Sequence, residues 1–286
     1  MARAGKIALA LLTGAAGLTA VVGASIFGLF FWQGSRPVDT SGEYVALGSS
    51  FAAGIGLGPR APGSPLQCLR TRGGYPSLVA ERTGLRLVDM TCSGSTSSHI
   101  LDGGQLMLGP QLAAIGPSTR LVTLTTGGND VGYVGDLVAA SGAMGGLVSV
   151  LHGRIRPPAD RPYDDVSGSI SRIVARIHEK APAARIVVVN YPAILPPQGE
   201  CPALGIDAAQ AAVSREVARR LARATEQAAR RSDVLYLDMA RESVGHDACS
   251  AEPWVNGAGS GGGAAFHPNA VGTRATADRI LAALKD

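Results

Sequence analysis

The sequence predicts an α/β fold, a parallel sheet covered by helices on both faces, and two patterns carry that expectation. Short apolar, β-branched runs recur at Tyr44–Gly48, Leu85–Met90, Leu121–Thr125, Arg185–Asn190 and Val234–Asp238, each the length of a buried strand. Between them stand stretches with apolar residues at helical spacing, and strands that alternate with helices need crossovers, which lay the helices on a parallel sheet. Composition agrees: 286 residues, 46% hydrophobic and 17% charged, suffice for a full core, and 38 Gly and 17 Pro follow no fixed period.

At the N-terminus, Arg3 and Lys6 precede an apolar stretch from Ile7 to Trp32 that contains no charge. At about 1.5 Å per residue it is long enough to cross a hydrocarbon core of about 30 Å. The basic residues before it predict a cytoplasmic N-terminus and an extracytoplasmic remainder. Residues 1–32 are therefore expected to be a signal anchor or a signal peptide. Val22-Gly23-Ala24 offers a cleavage site, but the apolar run continues to Trp32, which favours an uncleaved anchor in the cell membrane over secretion. Residues 33–41, with Gly34, Pro37 and Asp39, read as a linker, and 42–286 as one exported domain.

Along that domain the first strand is followed by a tight turn at Gly48–Gly54. Helices are expected over Pro76–Thr83, within Val131–Leu151, and over Val166–Lys180, Asp207–Arg231 and Asn269–Leu284, with Asp207 and Asn269 as N-caps. Ala139–Asp164, rich in Gly, Leu, Val and Pro, is either a pocket wall or a plain insertion. The net charge of +4 comes from scattered Arg, and the densest run, Arg215–Arg231, is broken by Glu226 and Gln227 and spread around a helix, so no nucleic-acid partner is expected. Cys68, Cys92, Cys201 and Cys249 suggest two disulfides in an exported domain, in any of three connectivities, with pairing inside each half the simplest. No cysteine pair has the short spacing of a metal clip and no His sits at a matching distance, so a zinc site is not expected, and the chemistry read from the motifs below needs no metal or cofactor. His99, His152 and His178 are assigned no role.

The unusual residues fall at the carboxyl ends of the strands, where sheets of this kind carry their sites. Gly48-Ser49-Ser50 places a serine on a strand-to-helix turn, where a nucleophile stands exposed. Thr126-Gly127-Gly128-Asn129-Asp130 presents an amide side chain after the third strand, and Phe266-His267-Pro268-Asn269 places a histidine at the entrance to the last helix. Each alone has an ordinary structural reading, as a cap, a turn or a surface residue. Together they give a nucleophile, a neutral donor and a base at one edge of the sheet, the set that acyl transfer requires.

With Gly73-Gly74-Tyr75-Pro76, Thr91-Cys92-Ser93-Gly94-Ser95-Thr96 and Pro253-Trp254-Val255-Asn256-Gly257, these motifs make the chain resemble the SGNH hydrolases, or GDSL esterases and lipases, over about Glu43–Leu284. It is most similar to exported actinobacterial esterases that work with a Ser-His dyad. The resemblance implies a three-layer α/β/α sandwich on a five-stranded parallel sheet of flavodoxin-like type. It also implies Ser50 as nucleophile, His267 as base, and an oxyanion hole from the Ser50 and Gly94 backbone N–H groups and the Asn129 side chain. Disulfides Cys68–Cys92 and Cys201–Cys249 are implied as well. The expected enzyme is a monomeric serine carboxylic-ester hydrolase acting on a small-molecule or lipid ester, with the membrane met through residues 7–32.

Two positions depart from the family pattern. Ser49 stands where the signature has Asp, which should disturb the turn rather than the nucleophile. Ala264 stands where most members carry the third triad residue, and no carboxylate occurs between Pro253 and His267. A backbone carbonyl can fix the tautomer of His267 in its place, with that of Ala264 the first candidate and the Asp247 carboxylate the second. The alternatives are an impaired, envelope-binding pseudohydrolase and an O-acyltransferase or deacetylase acting on envelope polysaccharide. The run Gly257–Gly263 reads either as a surface loop or as a lid beside His267.

Overall fold

Five strands, β1 (Tyr44–Gly48), β2 (Leu87–Asp89), β3 (Leu121–Thr125), β4 (Arg185–Val189) and β5 (Leu235–Leu237), form one sheet in the order β2-β1-β3-β4-β5. Every neighbouring pair is parallel. The computed structural model describes residues 19, 21–143, 156–259 and 261–285. The helices are α1 (Ser50–Ala53), α2 (Tyr75–Thr83), α3 (Ser97–Asp102), α4 (Tyr133–Ala140), α5 (Tyr163–Lys180), α6 (Ala208–Arg231), α7 (Met239–Glu242) and α8 (Ala270–Ala283).

The sheet divides two cores by the alternation of its side chains. Val45, Leu47, Val122, Leu124, Ile186 and Val188 point to one face, where Leu137 of α4, Ile170 and Ile173 of α5 and Leu221 of α6 cover them. Tyr44, Ala46, Leu121, Val187 and Val189 point to the other, against Val79 of α2 and Ala277 and Ile280 of α8. The result is the expected three-layer α/β/α sandwich. Strands buried on both faces show no polar alternation, which is why β1 reads as a continuous apolar run and β3 carries only the uncharged Thr123 and Thr125, whose hydroxyls are bonded to those of Tyr44 and Tyr75. At the sheet edges β2 and β5 are shorter than their runs, because each has a partner on one side only.

The anticipated caps hold. Asp207 Oδ1 accepts from the Gln210 N–H at 2.8 Å, and Asn269 Oδ1 accepts from the Val271 and Gly272 N–H groups at 2.9 Å each. The short α3 was not anticipated: its six residues are too few to show a periodicity. Of the segment Ala139–Asp164, residues 144–155 lie outside the described residues, as do His152 and most of residues 1–20. Residues 21–34 are helical, and among the described residues no helix is long and apolar enough to cross a membrane.

Cys68 is bridged to Cys92 and Cys201 to Cys249, the pairing that the resemblance implied. The first bridge closes a span of 24 residues. Joining chain segments this far apart restricts the unfolded ensemble, so Cys68→Ala/Cys92→Ala is expected to destabilise the protein by about 2–4 kcal/mol, read as a lower urea midpoint with a steeper slope, because the freed denatured chain exposes more surface.

Candidate active site

The chain leaves β1 towards β2 on one side of the sheet and continues from β3 to β4 on the other, so the strand order reverses between β1 and β3. A crevice opens outside their carboxyl ends at such a switch point. Gly48 makes the two ends close: it has φ 143°, and a Cβ there would fall on the Thr125 carbonyl oxygen. The next N–H, of Ser49, donates to that same carbonyl at 3.1 Å. Ser50 follows as the first residue of α1, half-buried at the rim of the crevice.

His267 arrives from the far end of the chain. It is held by an antiparallel bridge between Val255 and Pro268, with the Asn256 N–H donating to the His267 carbonyl and the Asn269 N–H to the Trp254 carbonyl, each at 2.9 Å. The Ser50 hydroxyl donates to His267 Nε2 at 2.7 Å. On the other side of the ring, Nδ1–H donates to the Ala265 carbonyl at 2.7 Å. A carbonyl can only accept, so this contact places the proton on Nδ1 and leaves the lone pair of Nε2 facing the serine.

This corrects the expectation that Ala264 orients the ring. Phe266, fully buried, adopts φ 57°, and this left-handed residue folds the Ala265 carbonyl back under the imidazole of the following residue. The Ala264 carbonyl is occupied, accepting from Asn256 Nδ2 at 3.1 Å and from the His267 N–H at 3.3 Å. Asp247 is engaged elsewhere, accepting the Cys249 N–H at 2.9 Å. His267 is 9% exposed. That burial holds its pKa below the ordinary histidine value, against the opposing pull of the Ala265 carbonyl.

Gly94 and Asn129 face the same cavity, of about 260 Å³, together with Ser50, His267 and the apolar side chains of Ile55, Val134 and Val138. Gly94 has φ 82°, a conformation that favours glycine, and among the described residues neither its N–H nor that of Ser50 has a protein acceptor. Asn129 Nδ2 donates to the Ser95 carbonyl at 2.8 Å, which fixes the amide plane. The neighbouring Asp130 accepts from the Ser97 N–H at 3.1 Å and from its hydroxyl at 2.5 Å, so the loop after β3 is bound to the loop that carries Gly94. From behind, the buried guanidinium of Arg161 pairs with Asp136 of α4 at 2.6 Å and also donates to the Val131 carbonyl. Among the described residues no group of His, Cys, Asp or Glu side chains could hold a metal ion.

Three residues that sequence reasoning passed over complete the frame. Gln111 Oε1 accepts the Gly48 N–H at 2.7 Å, and its Nε2 donates to the Gly48 carbonyl at 3.0 Å and to Ser95 Oγ at 2.9 Å. One buried amide thus joins the end of β1 to the Gly94 loop. The Tyr191 hydroxyl accepts the Gly128 N–H at 2.9 Å and lies 3.4 Å from Ser49 Oγ, so the turn that lacks the family's Asp is met by a phenol. Burial pushes the Tyr191 pKa up to about 12, and it stays a neutral hydrogen-bonding group. The ring of Phe51 bridges the edge of Tyr191 at 4.7 Å and His267 at 4.9 Å, between centroids. In the glycine run, Gly257 packs so closely on the Ala203 turn that a Cβ would fall on its carbonyl oxygen, and the Ala258 N–H donates to that carbonyl at 2.8 Å. Ser260 lies outside the described residues.

A hydroxyl on a strand-to-helix turn, an imidazole of fixed tautomer and a cluster of neutral donors around a part-apolar cavity define a site for attack on a carbonyl carbon. Residues 46–275 match the model of the GDSL-like lipase/acylhydrolase family. Lipase 2 of Streptomyces coelicolor is 33% identical over 256 residues, covering 84% of each chain. Among solved structures, an extracellular lipase from Streptomyces rimosus superposes with a TM-score of 0.69 at 27% identity, over 84% of this chain and 98% of that one. A phospholipase A1 from Streptomyces albidoflavus gives 0.68 at 27% identity, over 86% and 98%. The chain belongs to the GDSL-like lipase/acylhydrolase family, and with it to the carboxylic-ester hydrolases of the esterase and lipase class.

Proposed function

We propose that the protein hydrolyses carboxylic esters through an acyl-enzyme on Ser50, with His267 as the general base and the Ala265 carbonyl as its orienting partner. The observation that carries this reading is the continuous line Ser50 Oγ–His267 Nε2, His267 Nδ1–Ala265 O, with both separations 2.7 Å, at the rim of the cavity. Ser50 Oγ attacks the ester carbonyl carbon while its proton passes to Nε2. The oxyanion is met by the Ser50 and Gly94 N–H groups and by the second N–H of Asn129 Nδ2. The C–O bond breaks, the leaving alkoxide takes the proton from His267, and water then repeats the sequence on the acyl-enzyme. Ile55, Val134 and Val138 supply apolar wall for an acyl chain. The test is labelling of the intact protein with a fluorophosphonate, an electrophile that such a serine attacks. We expect one adduct, located by mass spectrometry on Ser50 and absent from Ser50→Ala; an adduct elsewhere, or none, overturns the assignment.

The low pKa of His267 gives this reading a pH signature. The competent base is the neutral imidazole, and burial shifts its protonation to more acid pH. The acid limb of kcat/KM for a soluble ester is therefore expected below about 6.5, the ordinary histidine value. A limb above that value contradicts a buried, carbonyl-oriented base.

Residues 1–32 are proposed to hold the enzyme at a membrane, 33–41 to link, and 42–286 to carry the chemistry on the extracytoplasmic side, as a monomer. The uncharged run Ile7–Trp32 behind Arg3 and Lys6, and two disulfides, which persist in oxidising compartments, support this placement. A lipid ester suits such a location, and the names of the Streptomyces lipases and phospholipase point to the same substrate class.

A further inference from the structure

The helix over residues 21–34 exposes apolar side chains all round: Val21, Phe27 and Phe31 are 64%, 58% and 61% exposed. A helix with no polar face has no stable place in water. Its end is nevertheless docked on the enzyme. The Leu66 N–H donates to Gln33 Oε1 at 2.8 Å, and Gly34 lies so near the Met107 carbonyl that a Cβ there would fall on it. The two turns on which it docks present large apolar side chains outward, with Leu66 and Leu69 42% and 55% exposed and Leu106 and Met107 52% and 38%.

The backbone at these turns is strained in a common way. Leu69, Leu106 and Met107 have φ of 50°, 45° and 69°, a region that residues with side chains rarely adopt and that the surroundings must enforce. Gln67 Nε2 joins the turns by donating to the Leu106 carbonyl at 3.3 Å. Both are tied to the loop that carries Gly94: Gln105 Nε2 donates to the Ser93 carbonyl at 2.7 Å, and the Ser93 N–H to the Cys68 carbonyl at 3.0 Å. At the helix end the Arg36 guanidinium lies 4.2 Å over the Trp32 ring, an aromatic and cationic pair of the kind that sits where a bilayer meets water.

We propose that Leu66, Leu69, Leu106 and Met107 form a lipid-contact surface, continuous with the N-terminal helix, that seats the enzyme on the bilayer with the cavity of Ser50 and His267 opening beside it. A second copy of the chain could cover one side of the helix. Lipid covers every side, and the four side chains continue the same apolar surface up to the Gly94 loop. Ester substrate then enters from the leaflet rather than from water. The inference rests on the esterase reading for what passes the mouth and on the membrane placement for what the surface meets.

The test uses the full chain in two arms. In the first, Leu66→Trp is made in a Trp32→Phe background and mixed with vesicles of phosphatidylcholine or of its brominated analogue. The introduced indole is expected to shift to the blue and to be quenched by the brominated lipid, against a Trp32→Phe parent in which Trp254 alone reports. In the second, Leu69→Asn/Leu106→Asn/Met107→Asn removes apolar surface with a residue that tolerates left-handed backbone. Hydrolysis of vesicle-borne p-nitrophenyl palmitate is expected to fall about tenfold or more, with soluble p-nitrophenyl acetate turned over as before.

A vesicle-bound protein whose introduced indole is unquenched overturns the contact surface and leaves the membrane placement standing. Equal loss on both esters overturns it too, since the turns would then act on the chemistry. Failure of the parent to float with vesicles removes the placement and the surface together. If the parent hydrolyses neither ester, the esterase reading fails while quenching still decides the contact. A dimer that the triple substitution dissociates, without quenching, assigns the surface to a second copy and overturns the proposal.

Discussion

Ser50→Ala and His267→Ala are each expected to lower kcat for a soluble p-nitrophenyl ester by about 10⁴-fold or more, and the double variant is expected to be no slower than the weaker single. The two side chains share one proton across 2.7 Å, so either loss removes the same event. What remains after either substitution is the binding of substrate and the backbone donors, which still exceed water as a catalyst. A carbonyl rather than a carboxylate behind His267 does not change this expectation, although it changes its cause. The Ala265 carbonyl sets the tautomer and the ring angle at 2.7 Å but brings no full charge to stabilise the imidazolium. His267 thus remains a weak base, held neutral by burial, and its contribution lies in position. Steady-state kinetics on the three variants decide the matter. Additive losses would place His267 outside the step in which Ser50 takes part.

The sheet was legible because β1, β3 and β4 are covered on both faces and are built mainly of apolar, β-branched residues, with only Thr123, Thr125 and the exposed Arg185 as exceptions in β3 and β4, and because the amphipathic periods of α5 and α6 leave no other place for them than on that sheet. The two caps were legible because Asp207 and Asn269 stand directly before helical periods. Ser50, Asn129 and His267 were legible as a set only: each is unremarkable alone, and their places after the first strand, after the third and before the last helix brought them together, while Gly94 was reached through the family resemblance. The orienting carbonyl was missed by one residue because it depends on the positive φ of Phe266, which no apolar pattern announces. Gln111 was missed for a different reason. It lies 63 residues from Gly48, in a segment without strand or helical period, and a buried side-chain amide that binds a distant peptide leaves no local signal. Tyr191 is likewise 63 residues from Gly128. It stands directly after the strand run Arg185–Asn190, and nothing there says that its hydroxyl closes a turn on the neighbouring strand.

Asn129→Ala is expected to lower kcat by about 10²- to 10³-fold with KM changed little, the pattern for loss of a donor that meets charge only in the transition state. Asn129 is fixed before substrate arrives, through its bond to the Ser95 carbonyl at 2.8 Å, so its second N–H needs no reorganisation when the oxyanion forms. Asn129→Asp should be worse than Asn129→Ala near neutral pH, because it would replace a neutral donor by a carboxylate beside the negative charge that the proposed mechanism develops on the substrate. A second readout separates this role from support of the loop. Affinity for a boronic acid, whose adduct with a serine carries the tetrahedral negative charge, should fall in parallel with kcat, while the urea midpoint moves little. If Asn129→Ala keeps kcat within about tenfold, or loses boronate affinity only as far as it loses stability, the amide is a strut of the Gly94 loop and the oxyanion is met by backbone alone.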